Sequence, residues 1–277
     1  MLLACFLSAD RIPLARPDKD SMPQQILMEI LVGDFDDKKC FREKDGEFKD
    51  ITLWDGVMLN KQGEVDSIDW AAELQFDEDD NADGPVGTGG SIDLQWIPSS
   101  VTSFTASRLH LTGTINTTSL PRELTFFFFG VNRMNGTFHT MGLPRKLCRV
   151  SVAKNRLSGS LDLTGLPESL KVFFAFRNEF SGSIDLRSLP AVLEMCLLEC
   201  NHLSGSLDLR FLPNTIQNLS LHQNEFRQDV VVLPLDRFNI ATLALDNGRF
   251  GSFVDTDGKE VRMKTSPDGN IVSLCTK

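Results

Sequence analysis

Four histidines and six cysteines are the side chains that nucleophilic or metal chemistry would use first. His110, His139, His202 and His222 sit in no recognisable nucleophile motif with a Cys or Ser. Cys5, Cys40, Cys148, Cys196, Cys200 and Cys275 form no CxxC pair and no His–Cys cluster with zinc-ligand spacing. The glycine-rich run Gly84, Gly87, Gly89, Gly90 lacks the Lys-Ser/Thr that a phosphate-cradling loop needs. No catalytic residue, resident metal or cofactor is therefore expected. One acidic set is periodic: Asp93, Asp162, Asp185 and Asp208 share a column with Asn116 and His139. Adjacent carboxylates in such a column suit a hard cation such as calcium; a solvated side face is the alternative, and the one we favour.

Composition narrows the class. The chain has 277 residues, 41% hydrophobic and 24% charged, which excludes wholesale disorder. That length allows one extended array or two domains. No run of eighteen apolar residues occurs, so no membrane-spanning helix is expected. The net charge of -10 argues against nucleic acid as the main partner. The charge is uneven. Residues 1–89 hold 21 Asp+Glu against 9 Lys+Arg, whereas residues 90–277 hold 17 against 19, so composition changes near residue 90. There are 20 Phe and no Tyr. Scattered cysteines without a framework point to reduced thiols and an intracellular, cytoplasmic location. Secretion is the alternative, because Met1–Ala9 is a short apolar stretch; it lacks a basic flank. Sequons at Asn116, Asn135 and Asn218 are about as many as chance gives and decide nothing.

An internal repeat dominates. Gly90, Gly113, Gly136, Gly159, Gly182 and Gly205 are each 23 residues apart, as are Pro98, Pro121, Pro144, Pro167, Pro190 and Pro213. Asn132, Asn155, Asn178, Asn201, Asn224 and Asn247 keep the same interval at their own offset, except that the chain gains one residue between Leu219 and Leu243. Such a period means a stacked solenoid. Apolar residues of Leu-x-x-Leu-x-Leu point inward from a short strand, and their neighbours point outward. Seven such segments are expected: Val101–Ala106, Leu124–Phe129, Leu147–Val152, Leu170–Ala175, Leu193–Leu198, Ile216–Leu221 and Ile240–Leu245. The alternating Ser-Leu-Asp-Leu piece suggests a second short strand on the side of the coil. The column Asn132, Asn155, Asn178, Asn201, Asn224 carries donors and an acceptor at a sharp turn, and is expected to form a ladder inside the solenoid.

One unit reads Leu-Pro-x-x-Leu-x-x-Leu-x-Leu-x-x-Asn-x-Leu-Ser-Gly-Ser-Leu-Asp-Leu, as in Leu147, Val150, Val152, Asn155, Leu157 and Gly159. This resembles the leucine-rich repeat family, whose core pattern is LxxLxLxxNxL. The resemblance covers residues 90–255 and looks most like plant-type and protist repeats. It implies a horseshoe-shaped solenoid, mainly β with short turns and 3-10 segments, with a concave parallel sheet of about seven or eight strands. It also implies a partner bound on the concave side. Trp54-Asp55-Gly56-Val57 resembles the Trp-x-Gly-Val cap of plant-type members. Leu59 stands where that motif has Cys, so the cap disulfide does not carry over.

The domain plan follows. Residues 1–89 form an acidic N-terminal cap, with a helix near 22–32, a first strand near 65–70 and a flexible acidic insertion at 71–89. The helix should turn Ile26, Leu27, Ile30 and Leu31 inward and stop at Gly33. Residues 90–250 are the repeats. Residues 251–277 form a C-terminal cap whose Asp257-Gly258 and Asp268-Gly269 signal hairpins.

The register separates surface from core. Phe126, Phe128, Val172, Phe174, Phe176, Met195 and Leu197 all face the concave side, with Arg149, Glu199 and His222 as polar neighbours. Phe and Met are enriched at interface cores, so a partner protein is expected here. The alternatives are an idle apolar face or a one-residue slip, which would bury these side chains and expose the leucines. Cys196 reads as core, and Cys148 and Cys200 as weakly reactive thiols near strand edges. The function expected is a non-catalytic scaffold or adaptor. A secreted or cell-surface recognition or adhesion protein, a non-catalytic subunit of a larger complex, and self-association through the concave face remain as alternatives.

Overall fold

The computed structural model describes residues 19–71, 89–236 and 240–274. The stretch Met1–Ala9, most of the proposed insertion at 71–89, and the cysteines Cys5 and Cys275 fall outside them.

The inward columns of the repeat build one continuous sheet. Eight parallel strands follow each other: Val65–Asp69, Ser103–Thr105, Phe126–Phe128, Arg149–Ser151, Val172–Phe174, Met195–Leu197, Asn218–Ser220 and Thr242–Asp246. Each pairs in the register of the repeat, so Phe127 lies beside Val150 and Val150 beside Phe173. Burying Leu, Val and Phe from alternate positions gives each turn its share of core. Leu147, Val150, Val152, Leu157, Leu161 and Leu163 are all essentially inaccessible. A turn this short cannot bury its apolar face alone and depends on its neighbours.

A second sheet runs along the side: Thr112–Thr114, Arg133–Gly136, Arg156–Ser160, Glu179–Ser183, His202–Gly205 and Glu225–Phe226. This corrects the expected position. The strand covers the residues around Leu-Ser-Gly-Ser, and the following Leu-Asp-Leu bends into a 3-10 turn such as Leu163–Gly165 or Leu209–Phe211. Asp162 and Asp208 sit before these turns and accept from the backbone N–H two residues on. A side-chain acceptor that close competes with strand pairing and starts a turn instead.

The N-terminal cap is an aromatic plug. Phe41 meets Trp54 at 4.5 Å and Trp70 at 5.4 Å between ring centroids, and Trp70 meets Phe104 of the first repeat at 6.2 Å. The helix spans Gln24–Leu31 and buries Leu27, Met28 and Leu31, with Val32 just beyond. Ile26 and Ile30, expected inside, are 40% and 38% exposed. Both stripes are apolar, so the sequence did not choose between them. Two glutamines in the first turn fix the rotation. Gln24 accepts from Val65 N–H at 2.6 Å and donates to Ser100 Oγ, while Gln25 accepts from Ile51 N–H at 2.9 Å. Val57–Leu59 pairs antiparallel with Val65–Asp69. Gly56 has φ of 77°, and a Cβ there would lie 1.9 Å from Asp69 O, so only glycine fits.

At the other end Gln228–Leu233 pairs in parallel with Phe250–Asp255. Ile271–Leu274 lies antiparallel on Thr242–Asp246, and Lys264–Thr265 pairs with it as the last strand of the sheet. A two-residue edge bearing a lysine is poorly suited to intermolecular pairing.

Candidate functional site

The three outward columns of the concave sheet hold the residues singled out from the sequence. Their strand positions follow from the pairing: Phe126, Arg149, Val172 and Met195 lie side by side, as do Phe128, Ser151, Phe174 and Leu197. Phe126, Phe128, Phe174, Phe176, Met195 and Leu197 are half-buried, while Val172 is only 8% exposed. Val172 thus belongs to the floor of the face. Phe174 and Phe176 meet at 6.3 Å between centroids. Arg149 is exposed and carries its guanidinium 5.8 Å from the centre of the Phe126 ring. Ser151 lies between Phe128 and Phe174, whose backbones are therefore two strand spacings apart, about 9.6 Å.

The third column passes from apolar to polar along the array. Gly130 and Ala153 are buried, Phe176 is half-buried, and Glu199, His222 and Asp246 follow. One carboxylate oxygen of Glu199 is buried with no hydrogen-bond partner among the described residues. His222 Nδ1 is 2.8 Å from Ser220 Oγ. Asp246 accepts from the backbone N–H of Gln223 at 2.7 Å and of Asn224 at 3.2 Å.

Behind this face the asparagines join the turns. Asn132, Asn155, Asn178, Asn201 and Asn224 are buried. Asn178 donates to Val152 O at 3.0 Å and Ala175 O at 3.2 Å, and accepts from Leu157 N–H at 3.0 Å. The residue before each asparagine takes a left-handed conformation: φ is 55° at Val131, 54° at Lys154, 52° at Arg177, 58° at Cys200 and 55° at Gln223. Arg108, one period earlier, has φ of 63°. This rim column was missed in the outward sets drawn from the sequence. Its signal was there, since it is the position preceding a periodic Asn at a sharp turn.

The remaining candidates disperse. Cys148, Cys196 and Cys200 are free thiols. Burial, with the nearby Glu199 charge, pushes the Cys196 thiol up to about 12. Burial also raises Cys200, whose Sγ donates to Gln223 Oε1 at 2.5 Å. His202 faces Glu225 at 3.2 Å on the side sheet, and His139 meets Thr137 Oγ1 at 2.9 Å. The periodic acids serve locally. Asp185 and Asp208 pair with Arg187 and Arg210 at 2.8 and 2.9 Å, and Asp162 caps a turn. Hydrogen bonds from Arg187 hold Asp185 down to about 2. Among the described residues no group of three or more His, Cys, Asp or Glu is arranged to hold a metal ion. No helix there is long and apolar enough to cross a membrane.

No protein-family model matches the chain, and no curated protein matches it significantly. Solved structures do. The crystal structure of a pollen receptor kinase 3 aligns with a TM-score of 0.50 at 20% identity, covering 73% of this chain and 92% of that one. A plant ice-binding protein aligns at 0.47 and 14%, covering 84% and 86%. YopM from Yersinia enterocolitica aligns at 0.40 and 22%, covering 64% of this chain and 37% of YopM. With the repeat pattern and the buried asparagines, the architecture is that of a leucine-rich repeat solenoid.

Proposed function

We propose that this leucine-rich repeat solenoid is a binding scaffold that recognises a partner protein through its concave face, without catalysing a reaction. One observation carries the reading. The outward positions of three of the strands, which a solvated sheet would fill with polar residues, hold Phe126, Phe128, Phe174, Phe176, Met195 and Leu197, each still partly open to solvent. Arg149, Glu199 and His222 supply polar specificity beside them. Apolar patches of this kind mark interaction sites, and aromatic anchors dominate interface energetics. The free thiols of Cys148, Cys196 and Cys200 support a reducing, intracellular setting.

The test is cross-linking capture from native extract with the wild type and with Phe128→Asp, Phe174→Asp. Neither ring lies in the core, so the variant should melt within a few degrees of wild type. A partner captured by the wild type alone, and binding it when purified, supports the site. Identical captures from both proteins refute it.

A further inference from the structure

Five arginines lie between the concave strands and the start of the side sheet, along the rim that joins the two. Arg149 lies on its strand. Arg108 and Arg177 occupy the left-handed rim position, with φ of 63° and 52°. Arg133 and Arg156 follow Asn132 and Asn155, whose side chains are turned inward, so both arginines flank the ladder from outside and are exposed. These positions fall on four successive turns, a length of about 15 Å at normal strand spacing. None of the five is in an ion pair with a carboxylate among the described residues. Arg149 instead covers Phe126. By contrast Arg187 and Arg210, further round the coil, are each paired with an aspartate.

We propose that this rim reads carboxylates, and that the partner presents an acidic polypeptide segment whose apolar side chains seat among Phe126, Phe128, Phe174 and Phe176. The proposal rests on the concave-face reading above and names the chemistry of its partner. Guanidinium forks match carboxylates two bonds at a time. Among the described residues none of these arginines has a carboxylate partner, and an acidic ligand would supply one. The charge of the whole chain sharpens the choice. The N-terminal 89 residues carry the acidic excess, so an acidic partner is repelled from the cap and drawn to the repeats. Ser151, a small side chain, stands between Phe128 and Phe174 in the outward column. Nucleic acid also offers anions, and its bases stack on aromatic rings, but Val172, Met195 and Leu197 add an aliphatic floor that the side chains of a polypeptide fill better.

The test is selection of a random dodecamer library displayed on phage against three proteins: wild type, Arg149→Glu with Arg177→Glu, and Phe128→Asp with Phe174→Asp. Affinities of the winning synthetic peptides are then read by fluorescence anisotropy. Wild type should enrich Asp or Glu next to Phe, Leu, Ile or Met. Those peptides should lose affinity at least about tenfold on the arginine variant and on raising the salt several-fold. Enrichment of uncharged or basic peptides that the phenylalanine variant still abolishes would overturn the acidic reading and leave the concave face standing. No enrichment on wild type, or winners indifferent to the phenylalanine variant, would remove both. Binding of a single-stranded 20-mer oligonucleotide as tight as that of the peptides would overturn the choice of a polypeptide. A concentration-dependent doubling of mass in light scattering, lost in the arginine variant, would make a second copy the occupant and overturn the foreign partner.

Discussion

Asn155 and Asn178 share one acceptor: both side-chain amides donate to the carbonyl oxygen of Val152, at 3.1 and 3.0 Å. A carbonyl has two lone pairs, and here both are used by asparagines one turn apart. The arrangement recurs at Ala175 O, reached by Asn178 and Asn201, and at Leu198 O, reached by Asn201 and Asn224. Each asparagine therefore ties its own turn to the one before it.

Asn155→Leu should break that chain at its middle. It removes donors to Phe129 O, Val152 O and Ala153 O and leaves the buried N–H of Met134 without its acceptor. An unsatisfied buried group costs about 1–3 kcal/mol, so the loss expected is about 2–4 kcal/mol in urea unfolding. A change within error would mean the ladder adds little.

Val131→Asn should stabilise the protein. Val131 is the only β-branched residue in the left-handed rim column, with φ of 55°. That conformation crowds a Cβ against its own carbonyl and costs about 1–2 kcal/mol, whereas Asn tolerates it. A rise of about 1 kcal/mol in unfolding free energy is expected. A fall would show that Val131 contributes more through contacts than it loses in strain.

The thiols should react in the order of their surroundings. Cys196 is wholly buried with its thiol near 12, and should resist maleimide at pH 8 until the chain unfolds. Cys200 is only half-buried but also raised, so its labelling should increase as pH climbs beyond the ordinary thiol range. Mass spectrometry of the labelled peptides reads both, and rapid labelling of Cys196 in the native protein would refute its placement.

Asp185 should stay ionised in acid. Its folded value, about 2, lies below the ordinary carboxylate value because Arg187 donates to it. A depressed folded value means the contribution to stability is present above about pH 4 and is lost as pH falls towards 2. Carboxyl NMR should find a midpoint near 2. Arg187→Ala should restore an ordinary midpoint, with little change in stability, because the pair is exposed.

Much of the molecule is written in its 23-residue period. Val150 and Val152 are inward by alternation, Leu147 and Asn155 by their fixed places in the repeat, and Phe126, Phe128 and Phe174 are outward by the same alternation. The period says which residues are equivalent, but not where the chain bends between them. The side strand lies on Arg156–Ser160 and not on the following Ser-Leu-Asp-Leu because Asp162 turns its acceptor onto the backbone and starts a turn. The helix face was equally undetermined. Ile26 and Ile30 are as apolar as Met28 and Val32, and only the bonds of Gln24 and Gln25 to distant backbone set its rotation. The rim arginines show the same division. Sequence places Arg133, Arg156 and Arg177 next to periodic asparagines and Arg108 one period before Val131, but the inward Asn side chains and the left-handed turn decide which way they stand. Inward and outward are properties of a strand's own alternation, which sequence carries. The bend at Asp162 is a local bond that competes with pairing, whereas helix rotation and the inward Asn turn depend on partners about twenty or more residues away, and only the stacked turns supply them.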